Sequence, residues 1–323
     1  MNIRKIAELS GCSASTVSRV LSGKTSNISI SEQTKQKIME VCHECDYEPS
    51  IHAARFFSNK SHTIGFLTPA GERLEDDNLA RMISAIYAEL PGLGYRLLPL
   101  AINRDFVANK EYLRLFRRKE IDGLMIWGVP DNSAWVDELA AKKLPFVLLS
   151  NRCKKYPAVS CDDAGGIRSM ISHCKAQGAK SFAFLSVGSG DCCERRKLAF
   201  CGAIPGGDKN VIHGGISIAD GEKATGQVIR MRPDAVICGN DRLAIGLIKG
   251  LSAAGLKVPE NIMVTGADNI ELSEYCMVPL TTFDQKAAEC GSKALEILAK
   301  HLRDGSNLES VIIKPEIHVR DSA

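Results

Sequence analysis

The sequence predicts an α/β protein in which a small helical head precedes a larger core of two doubly wound parallel-sheet subdomains. Residues 2–22 show the pattern of two short helices joined by a tight turn, the arrangement of a helix-turn-helix unit. From residue 62 onward, short apolar strands alternate with amphipathic helices, and this pattern occurs in two halves. Nearly continuous apolar strands that alternate with helices are typical of parallel sheets covered on both faces.

The length and composition are those of an ordinary globular protein. The chain has 323 residues, enough for about two to three domains, with 45% hydrophobic and 24% charged residues. No apolar run approaches the roughly 18–20 residues that span a membrane, so we expect no membrane partner. The polar, periodic N-terminus does not resemble a signal peptide, and we expect a cytoplasmic protein.

The twelve cysteines are scattered along the chain. Cys42 and Cys45 form the only Cys-x-x-Cys spacing, without a second cysteine or histidine pair at the spacing of a zinc site. Cys192 and Cys193 are adjacent, and adjacent cysteines rarely form a disulfide with each other. We therefore expect free thiols in a reducing cytosol, with no structural disulfide, no metal and no cofactor.

The second helix of the head carries a face of small polar side chains shortly after Gly11. Small residues allow close approach to a major groove, and hydroxyl and guanidinium groups reach base edges and phosphates. Ala14, Ser15 and Arg19 would select the base sequence, although any single serine could equally be surface decoration. The residues predicted to contact DNA from this helix are Ser13, Ala14, Ser15, Thr16, Ser18 and Arg19.

A third helix is predicted from Ser31 to Cys45, with Ser31 as its N-cap. Its apolar residues recur at helical spacing and would pack against the first two helices. Pro49 pushes Glu48 out of helical geometry, so the head is predicted to span residues 1–46 and a hinge residues 47–61. The predicted contacts join Ile38, Val41 and Cys42 to Ile6, Val17 and Leu21.

Residues 2–64 resemble the head and hinge of the LacI/GalR transcription regulators. In that family the segment after the proline folds into a hinge helix on DNA, and two such helices from a dimer enter the minor groove. The resemblance assigns Ala53 and Phe56 to this contact, with Phe56 as the apolar wedge where the family usually has leucine. The alternative is that Phe56 and Phe57 pack on the core. The matching positions are Ile3-x-x-Ile6-Ala7, Gly11-x-Ser13, Thr16–Leu21, Tyr47-x-Pro49, Ala53 and Ile64-Gly65.

The core, residues 62–323, is predicted to contain two groups of four strands. Ligands of doubly wound sheets bind at the carboxyl ends of the strands, so a cleft between the two halves is the expected ligand site. The expected subdomains are roughly residues 62–160 with 284–305, and 161–280 with 306–323. The predicted strands are 63–67, 96–100, 123–127 and 146–149 in the first half, and 181–185, 210–213, 235–238 and 262–265 in the second.

The resemblance continues through the core and implies a fold similar to that of periplasmic sugar-binding proteins. It is carried by Ile121-Asp122-Gly123, Asp162-Asp163, Cys238–Asp241 and Val264–Asn269, among other motifs. Asp268 could instead be a turn or cap residue, and Asp241 is expected to be the N-cap of the helix that follows it. A guanidinium, a carboxylate and two amides suit the hydroxyls of a sugar or the edge of a nucleobase. The predicted effector contacts are Ser150, Arg196, Asn240, Asp268 and Gln285.

Two segments depart from the family pattern. Residues 71–78 lack the aromatic pair that often lines the family's pocket. Residues 200–210 are about ten residues shorter than the usual helix and loop, and Pro205-Gly206-Gly207 would end a helix there. The ligand therefore differs from simple sugars, or the response to an effector is weak.

The resemblance implies a homodimeric transcription regulator that binds a palindromic DNA operator and responds to a small-molecule effector in the cleft. Because members of this family are most often repressors, the resemblance favours a repressor. The alternative is a solute-binding protein of a transport system, which would need an export signal and no head. An enzyme is disfavoured, and no catalytic residue is predicted, because the sequence has no nucleophile elbow, phosphate-binding loop or metal-ligand cluster.

Overall fold

The computed structural model describes residues 2–22, 30–47, 60–71, 76–130, 133–152, 155–188 and 190–323. The chain divides into two compact units, Met1–Thr63 with Tyr112–Asp122, and Ile64–Glu111 with Gly123–Ala323. In the part of the chain that the structure describes, no helix is long and apolar enough to cross a membrane.

The head contains three helices, α1 (Ile3–Ser10), α2 (Ala14–Ser22) and α3 (Glu32–Glu44). Gly11 ends α1 in the left-handed conformation at φ +65°, which a residue with a side chain rarely adopts. Ser31 caps α3, because its Oγ accepts the N–H of Thr34 at 3.2 Å. The tight turn and the N-cap are both confirmed.

The three helices enclose a small apolar core. Ile6, Val17 and Ile38 have no exposed surface, and each comes from a different helix. The predicted packing of α3 on the first two helices is confirmed. Around these three side chains lie Ala7 and Cys42, with Ile3, Cys12, Val20, Leu21, Val41, Cys45 and Tyr47 at the edge.

The same unit contains Asp122, whose carboxylate holds the backbone that follows the hinge. It accepts the N–H of Ser61 at 2.7 Å and the N–H of His62 at 2.8 Å. The backbone of Asp122 also donates to the carbonyl of Thr63 at 2.8 Å. These hydrogen bonds fix the backbone of residues 61–63 beside Asp122.

The elements of the core alternate between strands and helices, as the sequence predicts. The first part contains β1 (Thr63–Pro69), α4 (Asp77–Leu93), β2 (Arg96–Ile102), α5 (Arg104–Ala108), α6 (Glu111–Arg117), β3 (Gly123–Trp127), α7 (Ala134–Ala141), β4 (Phe146–Leu149) and β5 (Ala158–Cys161). The second contains α8 (Asp163–Ala176), β6 (Phe182–Ser186), α9 (Asp191–Ala203), a 3-10 helix (Gly207–Asn210), β7 (Val211–His213), α10 (Ile218–Met231), β8 (Ala235–Cys238), α11 (Asp241–Ala253) and β9 (Met263–Thr265). The last part contains α12 (Leu272–Tyr275), β10 (Thr282–Asp284), α13 (Ala287–Asp304), β11 (Val311–Ile313) and β12 (Glu316–His318).

The first sheet has six strands in the order β11-β5-β4-β3-β1-β2. The pairs β1–β3, β3–β4, β4–β5 and β5–β11 are parallel. Helices α4 and α13 pack on one face, where Met82 and Leu295 meet Phe66 and Val147 in one apolar cluster. Burial of these side chains provides the main driving force for this half of the core.

The second sheet has four parallel strands in the order β7-β6-β8-β9. Helices α10 and α11 cover one face, with Val228 and Leu247 fully buried. Helices α8 and α9 cover the other, where the rings of Phe184 and Phe200 stack at 5.2 Å. Helices on both faces make this sheet doubly wound, and the predicted fold class is confirmed.

The C-terminal strands do not follow the predicted division of the core. The sequence predicts that residues 306–323 belong to the second subdomain, but Val311–Ile313 pairs with Val159–Cys161 in the first sheet. The reason is that β5 leaves an open edge that a parallel strand can complete. Strands β10 and β12 form a separate antiparallel ribbon. The sequence pattern does not single out β5, β10, β11 or β12.

Candidate functional site

The exposed surface of α2 is the candidate DNA interface. Ser13, Ala14, Ser15 and Arg19 are exposed, whereas Thr16 and Ser18 are half-buried. The predicted polar face therefore lies on the solvent side of the head, while Val17 points into its core.

Ser13 organises the start of this helix. Its Oγ accepts the N–H of Thr16 at 3.1 Å and lies 2.8 Å from the hydroxyls of both Ser15 and Thr16. Such a cap fixes the first turn, which in a helix-turn-helix unit is the part that meets base edges. Ser13 and Thr16 thus hold the helix end, and Ala14, Ser15 and Arg19 present the accessible face. Ala53 and Phe56 lie outside the described residues.

The core contains a cavity of about 540 Å³ at the carboxyl ends of strands from both sheets. The walls include Trp127 and Leu149 from the first half and Val187 and Ile216 from the second. A cleft of this size, with apolar walls and a few polar groups, is typical of a small-molecule site. All five predicted effector residues line it, namely Ser150, Arg196, Asn240, Asp268 and Gln285.

Arg196 lies at the base of the cavity with only 3% of its surface exposed. Its guanidinium donates to the Asp163 carboxylate at 3.0 Å, to the Gly239 carbonyl at 2.5 Å and to the Asp268 carboxylate at 3.3 Å. Burial acts to lower the pKa of Arg196, but the charges of Asp268 and Asp163 outweigh it and raise this pKa. Arg196 therefore has two positions in the structure. It is a charged side chain that links three segments of the core, and it forms part of the cavity wall.

Asp268 has an unusual backbone conformation and also lines the cavity. Its backbone lies in a turn at φ +119°, and its carboxylate faces the cavity. The carboxylate accepts hydrogen bonds from Arg196 and from the amide of Gln285. Burial raises the pKa of Asp268 to about 8, against the lowering effect of Arg196, and the nearby Asp241 adds to the rise. A carboxyl group with this pKa can offer either a proton or a lone pair to a ligand near neutral pH.

Asn240, and not Asp241, is the N-cap of α11, so the cap assignment of Asp241 is wrong. The Asn240 Oδ1 accepts the N–H of Leu243 at 2.8 Å, and its Nδ2 donates to the carbonyl of Ile216 at 3.2 Å. The extended backbone that a cap needs occurs at Asn240, with φ −153°. Asp241 is fully buried and accepts the N–H of Ile270 at 2.9 Å and the hydroxyl of Thr282 at 2.5 Å.

Arg195 contacts two residues of the cavity wall, Ser150 and Asp191, and the sequence does not predict this role. Its guanidinium donates to the Asp163 carboxylate at 2.7 Å and to the carbonyl of Ser150 at 3.0 Å, and it pairs with Asp191. The Asp163 carboxylate thus accepts hydrogen bonds from both Arg195 and Arg196, although Asp163 has only 1% of its surface exposed. The available signal was the Arg195-Arg196 pair itself, since consecutive arginines that become largely buried require carboxylate partners.

Polar contacts join the two halves of the core across the cleft. Arg242 of α11 donates to the carboxylate of Asp77 at the start of α4, at 2.8 Å. Arg81 of α4 donates to the carbonyls of Asp268 at 3.3 Å and Asn269 at 2.8 Å. Asp76, Asp77 and Asn78 also line the cavity. Carboxylate and amide groups therefore lie in the segment where members of the family often have a pair of aromatic side chains.

The groups that line this cavity are suited to hydrogen bonding. Carboxyl, amide and guanidinium groups surround a partly apolar space, a pattern that recognises a polar molecule by hydrogen bonds. Among the described residues, no group of three or more His, Cys, Asp or Glu is arranged to hold a metal ion.

Both parts of the sequence match known protein families. Residues 2–50 match the family described as bacterial regulatory proteins, lacI family, and residues 171–323 match the periplasmic binding protein-like domain. The HTH-type transcriptional repressor PurR of Vibrio atlanticus is 30% identical over 336 residues, covering 99% of this chain and 98% of that protein. The HTH-type transcriptional regulator DegA of Bacillus subtilis is 26% identical, covering 99% and 97%.

Solved structures of regulators have the same fold. The lac repressor dimer bound to operator and the anti-inducer ONPF aligns with a TM-score of 0.84 at 22% identity, covering 100% of this chain and 98% of that one. The complex of the transcriptional regulator CelR with cellobiose aligns with a TM-score of 0.72 at 19% identity, covering 100% of both chains. The chain belongs to the LacI family of bacterial transcription regulators, with a DNA-binding helix-turn-helix head and a periplasmic-binding-protein-like core.

Proposed function

We propose that this regulator represses transcription as a homodimer on a palindromic operator, under the control of a small polar effector in the cleft. The observation that carries the proposal is the polar cavity between two sheets that are linked by an ion pair and by hydrogen bonds. Repression is supported by the relative PurR, which is named a repressor. Dimer formation on an operator is supported by the lac repressor complex, which has this fold.

The effector class follows from the groups that line the cavity. Asp268, Gln285 and Asn240 supply hydrogen-bonding groups, while Trp127 and Ile216 supply apolar surface. This combination suits a sugar, a sugar derivative or a nucleoside-like molecule, with hydroxyl or amine donors toward the acidic side formed by Asp76 and Asp77. The cellobiose bound by CelR is one example of such a ligand in this fold.

Control of DNA binding would follow from closure of the cleft. A ligand that contacts both halves favours the arrangement in which Arg242 and Asp77 are paired and Arg81 reaches Asn269. Movement of the two halves would then change the relative position of the two hinge segments in a dimer, and with it their ability to enter the minor groove together. A coupling free energy of about 1–3 kcal/mol, typical of allosteric proteins, is enough for a large change in operator occupancy.

The head would supply the DNA contacts. Ala14, Ser15 and Arg19 on the exposed face of α2 would read bases in the major groove, and Ser13, Thr16 and Ser18 would hold phosphates and the helix end. Ala53 and Phe56 of the hinge would enter the minor groove, with Phe56 as the wedge. A protein that binds the chromosome in this way works in the cytoplasm. The head also disfavours a solute-binding protein of a transport system.

Selection of genomic DNA fragments by the purified protein tests the proposal. The selection is made near physiological salt, where non-specific phosphate binding is weak. We expect recovery of a short palindrome close to regulated genes, and those genes would indicate the effector class. Recovery of sequences without two-fold symmetry would contradict the dimeric regulator.

A further inference from the structure

Two adjacent cysteines face the cavity in addition to the polar groups described above. Cys192 and Cys193 belong to the first turn of α9, and both line the cavity. Their sulfur atoms lie 3.8 Å apart, and both residues are half-buried. The hydrogen-bonding scheme for a polar effector uses neither of them.

The surroundings of this pair favour a thiolate. A hydrogen bond from the Cys192 thiol and the charge of Arg196 lower the pKa of Cys193 to about 7, although burial and Asp163 act in the opposite direction. The pKa of Cys192 is raised in turn, because the two sulfurs share one proton. By contrast, burial raises the pKa of Cys174 and of Cys290 to about 12. Since the thiolate is the reactive form, the cavity pair is much more reactive than these buried thiols.

The geometry suits a single atom that bridges the two sulfurs. The sulfur atoms of Cys192 and Cys193 lie 3.8 Å apart, too far for a disulfide bond but close enough for one atom to bond to both after a small movement of the side chains. A disulfide needs a sulfur separation of about 2.05 Å, which the regular backbone of α9 opposes. Gly190 lies directly beside Cys193, because a Cβ atom at Gly190 would be in van der Waals contact with the Cys193 sulfur at 3.6 Å.

The number of ligands separates a metal ion from a metalloid. A structural metal site takes about four protein ligands, and within the described ranges no group of three or more candidate ligands has the required arrangement. A trivalent arsenic atom that already carries one carbon substituent needs only two thiolates. The pair of Cys192 and Cys193 supplies that number.

We propose that Cys192 and Cys193 form a dithiol site in the cleft that binds trivalent arsenic, with an arsenoxide as the entering ligand. In this reaction the two S–H bonds and the arsenic–oxygen bond break, and two arsenic–sulfur bonds form. The oxygen leaves as water with both thiol protons, and arsenic stays trivalent, so neither an oxidant nor a reductant is needed. The bound group would occupy the cavity beside Arg196 and thereby exclude the polar effector. This last consequence rests on the proposed function, whereas the capture of arsenic does not.

The test uses the full-length protein and phenylarsine oxide as the probe. Free thiols are titrated, and the modified peptides are identified by mass spectrometry. We expect the protein to protect two thiols in the peptide that contains Cys192 and Cys193, with reversal by a dithiol but not by an equal concentration of a monothiol. Cys192→Ser and Cys193→Ser are each expected to weaken capture on the order of a hundredfold, because two-point attachment is lost.

The chain offers a matched control in Cys42 and Cys45, a second close pair of cysteines near the end of α3. The double variant Cys42→Ser, Cys45→Ser is expected to retain the capture at Cys192 and Cys193. Thermal unfolding of each variant, and of Cys192→Ala and Cys193→Ala, tests whether the fold is kept.

Capture that persists in both single serine variants would overturn the proposal. So would capture that depends on Cys193 but not on Cys192, since this would indicate one nucleophile and not a dithiol. Operator binding is measured separately on the same samples. Capture that leaves operator affinity unchanged supports the dithiol site and counts against control of DNA binding through this cleft.

Discussion

At the scale of single residues, Arg196 connects the ligand cavity to the stability of the core. Its three hydrogen-bonded partners come from separate segments, and two of them are carboxylates. Removal of one partner from a buried ion pair leaves an uncompensated charge, which typically costs about 3–5 kcal/mol. Arg196 therefore has a structural role beyond the effector contact implied by the family resemblance.

We expect Arg196→Ala to lower the free energy of unfolding by about 3–5 kcal/mol, measured by urea denaturation at neutral pH. Arg195→Ala is the matched control. Arg195 is more exposed, with 13% of its side chain accessible against 3% for Arg196, so its loss should cost less. An equal free energy of unfolding for Arg196→Ala and the unmodified protein would show that Arg196 does not stabilise the core.

Asp268 gives the core a defined dependence on pH. Burial raises the pKa of Asp268 to about 8 from an ordinary value of 3.8, so the folded state holds a proton that the unfolded state releases at lower pH. The associated stability is present below the ordinary value and is lost as the pH rises through about 8. Asp241, whose pKa burial raises to about 6, acts in the same direction.

Asp268→Asn is therefore expected to reduce the loss of stability between about pH 5 and pH 9, because the asparagine has no proton to release. Urea denaturation at a series of pH values measures this slope for both proteins. The slope should become shallower without disappearing, since Asp241 remains. Parallel slopes would show that Asp268 is already ionised at pH 5 in the folded protein.

At the scale of secondary-structure elements, the start of α4 is joined to α11 by the ion pair of Asp77 and Arg242. Both side chains are partly exposed, at 33% and 40%, so solvent screens the attraction. A pair of this kind contributes about 0.2–1 kcal/mol. Such a value is small for the stability of the fold but large enough to bias the closure of a cleft.

We expect Asp77→Asn and Arg242→Gln each to change operator affinity by about two- to fivefold, measured by fluorescence anisotropy. The double variant should resemble the single variants, because each one removes the same interaction. Lys249→Gln, which removes an exposed ion pair between α10 and α11, is the control and should leave operator affinity unchanged. Additive effects in the double variant would show that the pair does not act as a unit.

The hinge is the element on which minor-groove binding depends. Phe56 lies outside the described residues, and its role as a wedge is a prediction from the family resemblance. Phe56→Ala is expected to weaken operator binding by about ten- to a hundredfold, because the wedge that unstacks a base step is lost. Effector binding, measured by calorimetry, should not change. Unaltered operator affinity would exclude the wedge role and favour packing of Phe56 on the core.

At the scale of the whole molecule, local rules allowed the head and the strand–helix alternation to be predicted. Gly11 and Ser31 act through neighbouring residues only, so a turn and a cap could be identified from the sequence. The contact of Val311–Ile313 with Val159–Cys161 could not be identified in this way, because about 150 residues separate the two strands and each is very short. The sequence likewise could not show whether Asn240 or Asp241 caps α11, because the cap depends on backbone angles that the tertiary fold sets.

The five predicted effector residues came from a family resemblance, and the structure brings all five to one cavity. The sequence did not indicate how fully these groups already bond to one another. Arg196, Asn240 and Asp268 each have protein partners, so a ligand must either fit around these bonds or replace some of them. Arg195 and Asp163 were missed because their importance arises from a contact between α8 and α9.

The proposed assembly on DNA is two chains on one palindrome. Sedimentation of the protein with the selected operator measures the number of chains per DNA, and a second DNA with one scrambled half-site serves as the comparison. We expect two chains on the palindrome, with an affinity at least about a hundredfold lower for the scrambled DNA, because each half-site contributes several kcal/mol. One chain per operator, or equal affinity for the two DNAs, would contradict it.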